Sequence, residues 1–116
     1  MTTTSFYQPT SGLELLERFS NDACARRTYL GERLDRIKAL DPILRAMTAI
    51  LDVNTAVSRS DAARGALHGL PVVVKDIFDT RELPTAYGSP IYTGHEPACD
   101  AALVTMLRRG GGVVLG

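Results

Sequence analysis

A lysine closes a valine run, Pro71-Val72-Val73-Val74-Lys75-Asp76, and carries the most distinct chemistry that residue type and position allow in this chain. Three consecutive β-branched residues favour a strand covered on both faces, as in a parallel sheet between helix layers. Alternation puts Lys75 on the face of Val73 and Asp76 on the face of Val72 and Val74, so the adjacent carboxylate points away. Sites in open parallel sheets collect at the carboxyl ends of strands, where Lys75 falls. An ordinary lysine, with a pKa of ~10.4, is protonated at neutral pH; acting as a base requires lowering that value by roughly two to three pH units, at a cost of about 3 to 4 kcal/mol. Burial among Val73, Ile77 and Phe78 is expected to provide this by penalising the ammonium form. A neutral Lys75 would then activate a hydroxyl nucleophile, the Ser-Lys variant of the hydrolase triad. The bland alternative is a strand-end lysine that snorkels to water or pairs with Asp79.

Other chemistry-bearing residues have weaker claims. His68 lies in the turn before the valine run and His95 in a long connection, and neither has a second ligand at metal spacing, so no metal site is expected. Cys24 and Cys99 are far apart and form no Cys-x-x-Cys pair, which fits a reduced, cytoplasmic setting. Gly110-Gly111-Gly112 precedes a strand instead of opening a helix and lacks a Gly-Lys-Ser/Thr ending, which argues against a phosphate cradle. Tyr87 and Tyr92 could line an acyl pocket, with ordinary packing as good an account.

The elements that must position Lys75 are legible in outline. Leu15, Leu16 and Phe19 share one side of a short helix from Gly12. Ser20 or Asn21 can cap a second helix, whose stripe Ala23, Leu30, Leu34, Ile37 and Leu40 is broken at one turn by Arg26 and Arg27. Asp41-Pro42 is expected to stop it, since proline disfavours helical geometry in the preceding residue. Residues 46–51 suit a strand and 54–63 a weak helix that exits at Arg64-Gly65. Residues 79–99 hold Pro84, Gly88, Pro90, Gly94 and Pro97 and form a connection long enough to imply a site or packing against other structure. Asp100 is placed to cap a helix over 101–109, with Arg108 and Arg109 in its last turn, and Val113-Val114-Leu115 follows as a buried strand. Strand, crossover helix and parallel strand make a βαβ unit, which needs further strands and covering helices. At most three strands are available, so the chain is expected to be the front part of a larger domain, with residues 1–10 a polar tail and 11–116 part of that domain.

Composition sets the outer bounds. The 116 residues carry 13 Lys and Arg against 13 Asp and Glu, with a calculated pI near 6.7. That balance offers no overall attraction for nucleic acid. At 45% hydrophobic and 22% charged residues the chain is too apolar for disorder, and it is too interrupted for a membrane span. Its opening residues have neither the basic start nor the apolar run of a secretory signal.

The blocks Leu67-His68-Gly69-Leu70-Pro71-Val72-Val73-Val74-Lys75-Asp76, Pro84-Thr85, Gly88-Ser89, Asp100-Ala101, Leu103-Val104, Leu107-Arg108 and Val113-Val114-Leu115-Gly116 stand in an order that resembles the front of the amidase signature family. The resemblance is dense from Gly65 to Gly116, and the preceding helices are compatible with it. It implies an α/β/α fold around a large mixed sheet, and hydrolysis of carboxamides by a Ser, cis-Ser, Lys triad whose lysine matches Lys75. In that scheme the lysine works through the cis serine to take the proton of the nucleophile. An acyl-enzyme forms, the amine leaves, water completes the reaction, and backbone N–H groups stabilise the oxyanion. Both serines lie in a downstream Gly/Ser-rich segment that these 116 residues do not contain. Ser89 belongs to the structural Gly-Ser match and is not expected to replace them. The sequence departs from the family at Arg81-Glu82, where a small residue and glycine are frequent, and at Gly110 and Gly112, where alanines are usual.

The implied reading is therefore an amidase fragment that holds the base without the nucleophile and is inactive alone, with a small-molecule amide as substrate of the full-length parent and no cofactor. Two alternatives stand beside it: a fragment of the amidase subunit of a tRNA-dependent amidotransferase, and a non-catalytic half-fold acting as an interaction module or remnant. Uncovered sheet edges would favour a homo-oligomer.

Overall fold

The computed structural model describes residues 10–116; most of the expected polar tail lies outside the described residues. Helix α1 (Gly12–Asn21) opens with a capping box, in which the Ser11 hydroxyl accepts from the Glu14 N–H and the Glu14 carboxylate accepts from the Ser11 N–H. Its period buries Leu15 and Phe19 against helix α2 (Ala23–Leu44), with the Phe19 ring 5.6 Å from that of Tyr29.

Helix α2 departs from expectation at both ends. Its N-cap is Asp22, whose carboxylate accepts from Ala25 N–H, in place of Ser20 or Asn21, which are still inside α1. Pro42 does not stop it: the helix runs two residues further and ends at Arg45 in the left-handed conformation. The Asp41 side chain accounts for this, because it accepts from the N–H groups of Ala46 and Met47 while its carbonyl accepts from Arg45, which satisfies the turn that proline weakens. Arg26 does not break the apolar stripe by pointing away. It is 8% exposed and its guanidinium reaches Asp61 at 3.3 Å, while Arg27 grips the same carboxylate at 3.0 and 2.8 Å. Asp61 lies on helix α3 (Val53–Ala62), so one carboxylate joins the two helices. The hydrogen bonds from Arg27 hold Asp61 below the ordinary carboxylate range, and Asp61 in turn raises Arg27.

Residues 46–51 form no strand, but the Leu51 N–H donates to Leu115 O at 2.8 Å, so the segment flanks the sheet as an irregular edge. The sheet itself has two parallel strands, β1 (Pro71–Val72) and β2 (Val113–Val114), in the register Pro71 to Val113 and Val72 to Val114. Helix α4 (Ala102–Arg109) lies between them in sequence, which gives the expected βαβ connection. Asp100 does not cap α4. The N-cap is Ala101, with no side-chain cap, and the Asp100 carboxylate instead accepts from Arg81 N–H at 2.7 Å and faces Arg108.

The core gathers Leu30 and Leu34 of α2, Leu51, Ala56 of α3, and Val113 and Leu115, with Ile37 packed at its side. Leu40, the last residue of the expected stripe, is 37% exposed. The radius of gyration, 15.0 Å, exceeds the roughly 13 Å of a globular chain this long, and the body is only 22 Å thick. That thinness is the thickness of about two packed layers.

The glycine run after α4 meets the turn before β1 backbone to backbone. Leu67 N–H donates to Gly110 O at 2.7 Å and Gly69 N–H to Gly111 O at 2.8 Å. Gly65 (φ 114°) and Gly111 (φ 91°) both have left-handed backbones, and a Cβ on either would come within 2.7 Å of a carbonyl oxygen of the other turn. Close approach of two turns, not anion binding, explains these glycines.

Candidate functional site

Lys75 lies just beyond β1 at its carboxyl end, where the chain is still held to the second strand by Val74 N–H donating to Gly116 O at 3.0 Å. Past the strand Val73 and Lys75 are exposed and Val72 and Val74 half-buried, as alternation predicts, and the chain then turns, leaving Asp76 half-buried and Ile77 exposed. The enclosure expected from Val73 and Ile77 is not formed, since they are 56% and 50% exposed and Lys75 is exposed between them; Phe78 alone is half-buried. Lys75 makes no ion pair among the described residues. Lys75 lines a groove of about 280 Å³ together with Ala46, Met47, Thr48, Val73, Val74, Asp76 and Gly116.

The residues after Lys75 tie the long connection down. The Lys75 carbonyl accepts from Ile77 and Phe78 N–H, at 2.7 and 3.2 Å, which turns the chain sharply. The Asp76 carboxylate accepts from Ala86 N–H at 3.0 Å. Buried Thr85 accepts from Thr80 N–H through its hydroxyl and donates its own N–H to His95 O at 2.9 Å. Asp79 does not pair with Lys75: its carboxylate takes a short hydrogen bond from the Tyr87 hydroxyl, which raises the Tyr87 pKa. Sequence reasoning missed these tethers, whose signal was the short acceptors Asp76 and Asp79 and the donor Thr80 at close spacing ahead of a Pro/Gly-rich stretch.

The weaker candidates fall into structural places. The Ser89 hydroxyl accepts from Ile91 N–H at 3.4 Å and caps a single turn of 3₁₀ helix, Pro90–Tyr92. Tyr87, Tyr92 and His95 cluster, the tyrosine rings 5.2 Å apart and edge-on, on the exposed side of the connection. His68 has φ 44° in the turn against Gly111. Cys24 and Cys99 are exposed, free thiols. Among the described residues no group of His, Cys, Asp and Glu could hold a metal ion, and no helix is long and apolar enough to cross a membrane.

The site is thus a βαβ unit with an exposed lysine just past its first strand and a tethered connection leading to the crossover helix. The family model described as Amidase matches residues 29–116. The chain belongs to the amidase family. Within it, the "Putative amidase AmiD" of Mycobacterium tuberculosis is 38% identical over 92 aligned residues, covering 72% of this chain and 19% of its own length. A glutamyl-tRNA(Gln) amidotransferase subunit of Acidothermus cellulolyticus is 40% identical over 91 residues, covering 72% and 18%. The corresponding subunit of Rhodopirellula baltica is 30% identical over 114, covering 91% and 23%. A solved chain from a vestigial protein complex bearing on the evolutionary origins of an s-triazine catabolic enzyme superposes with a TM-score of 0.81 and 32% identity, covering 92% of this chain and 25% of that one. The chain thus spans about a fifth of the length of the curated relatives it matches.

Proposed function

We propose that this chain supplies the base-bearing part of a carboxamide-hydrolysing amidase domain of α/β/α architecture, with Lys75 as the base and the serines of the triad contributed by sequence outside these 116 residues. In this reading the Lys75 amine, once enclosed, takes a proton through the cis serine from the nucleophilic serine. Attack on the amide carbonyl then gives an acyl-enzyme, the protonated amine departs, and water releases the acid. The observation that carries the reading is the exposed pair of Val73 and Lys75 just past β1, followed by the exposed Ile77 of the next turn, on a two-layer body. Exposed apolar side chains close in sequence to an exposed lysine suit a face that a further layer covers and dries.

The test is a chimera in which residues 29–116 replace the matched segment of the mycobacterial relative. We expect amide hydrolysis that Lys75→Ala lowers by at least a hundredfold, as removal of a general base does. An unchanged rate would end the case for Lys75. The 116-residue chain by itself should show no hydrolysis above its Lys75→Ala variant.

A second reading, the amidase subunit of a tRNA-dependent amidotransferase, is favoured by the amidotransferase relatives at 40 to 42% identity over 91 residues. The same chimera built in one of those amidotransferases separates the two, since only that parent passes released ammonia onward.

A further inference from the structure

Arginines converge where α3 and α4 end. Arg59, Arg64, Arg108 and Arg109 line a groove of about 300 Å³. Arg59, Arg81 and Arg108 line an adjoining one of about 460 Å³ with Glu82 and Asp100. Arg59 and Arg108 are common to both, so the two are one surface. Five guanidiniums meet two carboxylates there in a chain of zero formal charge, so this face is positive and the remainder is negative by the same amount. The carbonyl ends of the two helices offset about one unit of the surplus.

The charges are not distributed alike. Glu82 pairs with the exposed Arg59 and with the half-buried Arg108 (3.4 Å), and Arg108 Nε lies 3.0 Å from Asp100. These four charges neutralise one another. Arg64, Arg81 and Arg109 are exposed and have no ion pair among the described residues. The three come from three different segments, Arg64 and Arg109 lining one groove and Arg81 the other, so the surplus is shared between the two grooves. A single small anion would satisfy one of the three. A polyphosphate backbone following the groove would run over the carboxylates of Glu82 and Asp100. Separated carboxylates on a protein surface match cations so spaced, and the arginine fork pairs with carboxylate bidentately.

We propose that this face docks the acidic surface of a protein partner, with Arg64, Arg81 and Arg109 as its cationic contacts. The inference stands apart from the role of Lys75. The test titrates the 116-residue chain at low salt with a fluorescent ten-residue polyglutamate, with inorganic phosphate and oligothymidylate as competing probes. Arg81→Glu with Arg109→Glu should weaken the peptide at least tenfold, since each exposed charge contact is worth up to about fivefold and reversal adds repulsion. Arg18→Glu with Arg45→Glu makes the same change of net charge elsewhere and should cost less than threefold. Neither Arg81 nor Arg109 has a side-chain partner to lose, and circular dichroism checks that both variants fold. The proposal is overturned by absence of peptide binding, by equal loss in both variants, by displacement with phosphate at equal carboxylate concentration, or by tighter binding of the oligothymidylate.

Discussion

Substitution of Gly111 tests whether two turns, and not a ligand, dictate the glycine run. Its φ of 91° is one that L side chains rarely adopt, and occupying the left-handed region costs a residue with a Cβ about 1 to 2 kcal/mol. The added carbon would also lie 2.7 Å from Arg64 O and 3.0 Å from His68 N, both backbone atoms, so one turn must move away from the other. Moving them stretches the bonds from Leu67 to Gly110 and from Gly69 to Gly111, each worth about 0.5 to 1.5 kcal/mol. The loss of chain freedom in the unfolded state returns about 0.4 to 1 kcal/mol. Gly111→Ala should therefore destabilise by about 1 to 4.5 kcal/mol, a fall in Tm of roughly 4 to 18 °C for a chain of this size. Gly110 is the control. Its φ is −72° and the nearest atoms to an added Cβ are 3.3 to 3.5 Å away, so Gly110→Ala should leave stability level or raise it by about 0.5 kcal/mol. Melting followed by circular dichroism checks both. Equal melting temperatures for Gly111→Ala and the parent, or equal losses at 110 and 111, would refute the reasoning.

Three further outcomes follow from the tethers. Asp61 has a lowered folded pKa, so its contribution is complete above the ordinary carboxylate range and is lost as pH falls through the folded value; the Tm advantage over Asp61→Asn should shrink as pH is lowered through and below the ordinary carboxylate range. Asp76→Ala removes the acceptor for Ala86 N–H, and hydrogen exchange at that amide should quicken while amides of the buried Leu30 and Leu34 keep their protection; unchanged exchange at Ala86 would show that the connection is held elsewhere. Lys75→Ala should change the stability of the 116-residue chain by less than about 0.5 kcal/mol, because the side chain is exposed and pairs with nothing described. A large loss in a chemical denaturation curve would mean that Lys75 has a structural role.

Much of the fold was legible because it rests on period and punctuation. The helix around Leu15 and Phe19, the stripe Leu30, Leu34 and Ile37, the parallel pairing across a crossover helix, and the family blocks all follow from local patterns. The errors arose where a side chain serves a partner that local sequence does not reveal. Asp41 supports the turn that Pro42 was expected to break. Asp100 serves Arg81 and Arg108 across the connection instead of its own helix. Arg26, placed like a stripe-breaker, is buried because Asp61 lies opposite on another helix. Gly110 and Gly112, where the family resemblance led to an expectation of alanine, lack the positive φ that Gly111 has, which locates the strict requirement at the middle residue.

The site shows the same division between pattern and context. Alternation indicates the side on which Lys75 lies, and the exposure of Val73 and Lys75 against half-buried Val72 and Val74 agrees with it. Drying of that side is a property of whatever packs on it, and two strands with helices in a body 22 Å thick provide only one cover. Exposed apolar side chains close in sequence to an amine are unfavourable in water and useful once covered, since burial penalises the ammonium and exclusion of water strengthens contacts with a seryl hydroxyl. The lysine therefore depends on its flanks for chemistry and on nothing here for stability, so replacing Val73 or Ile77 with serine in the active chimera should impair turnover while leaving the melting of the 116-residue chain nearly unchanged.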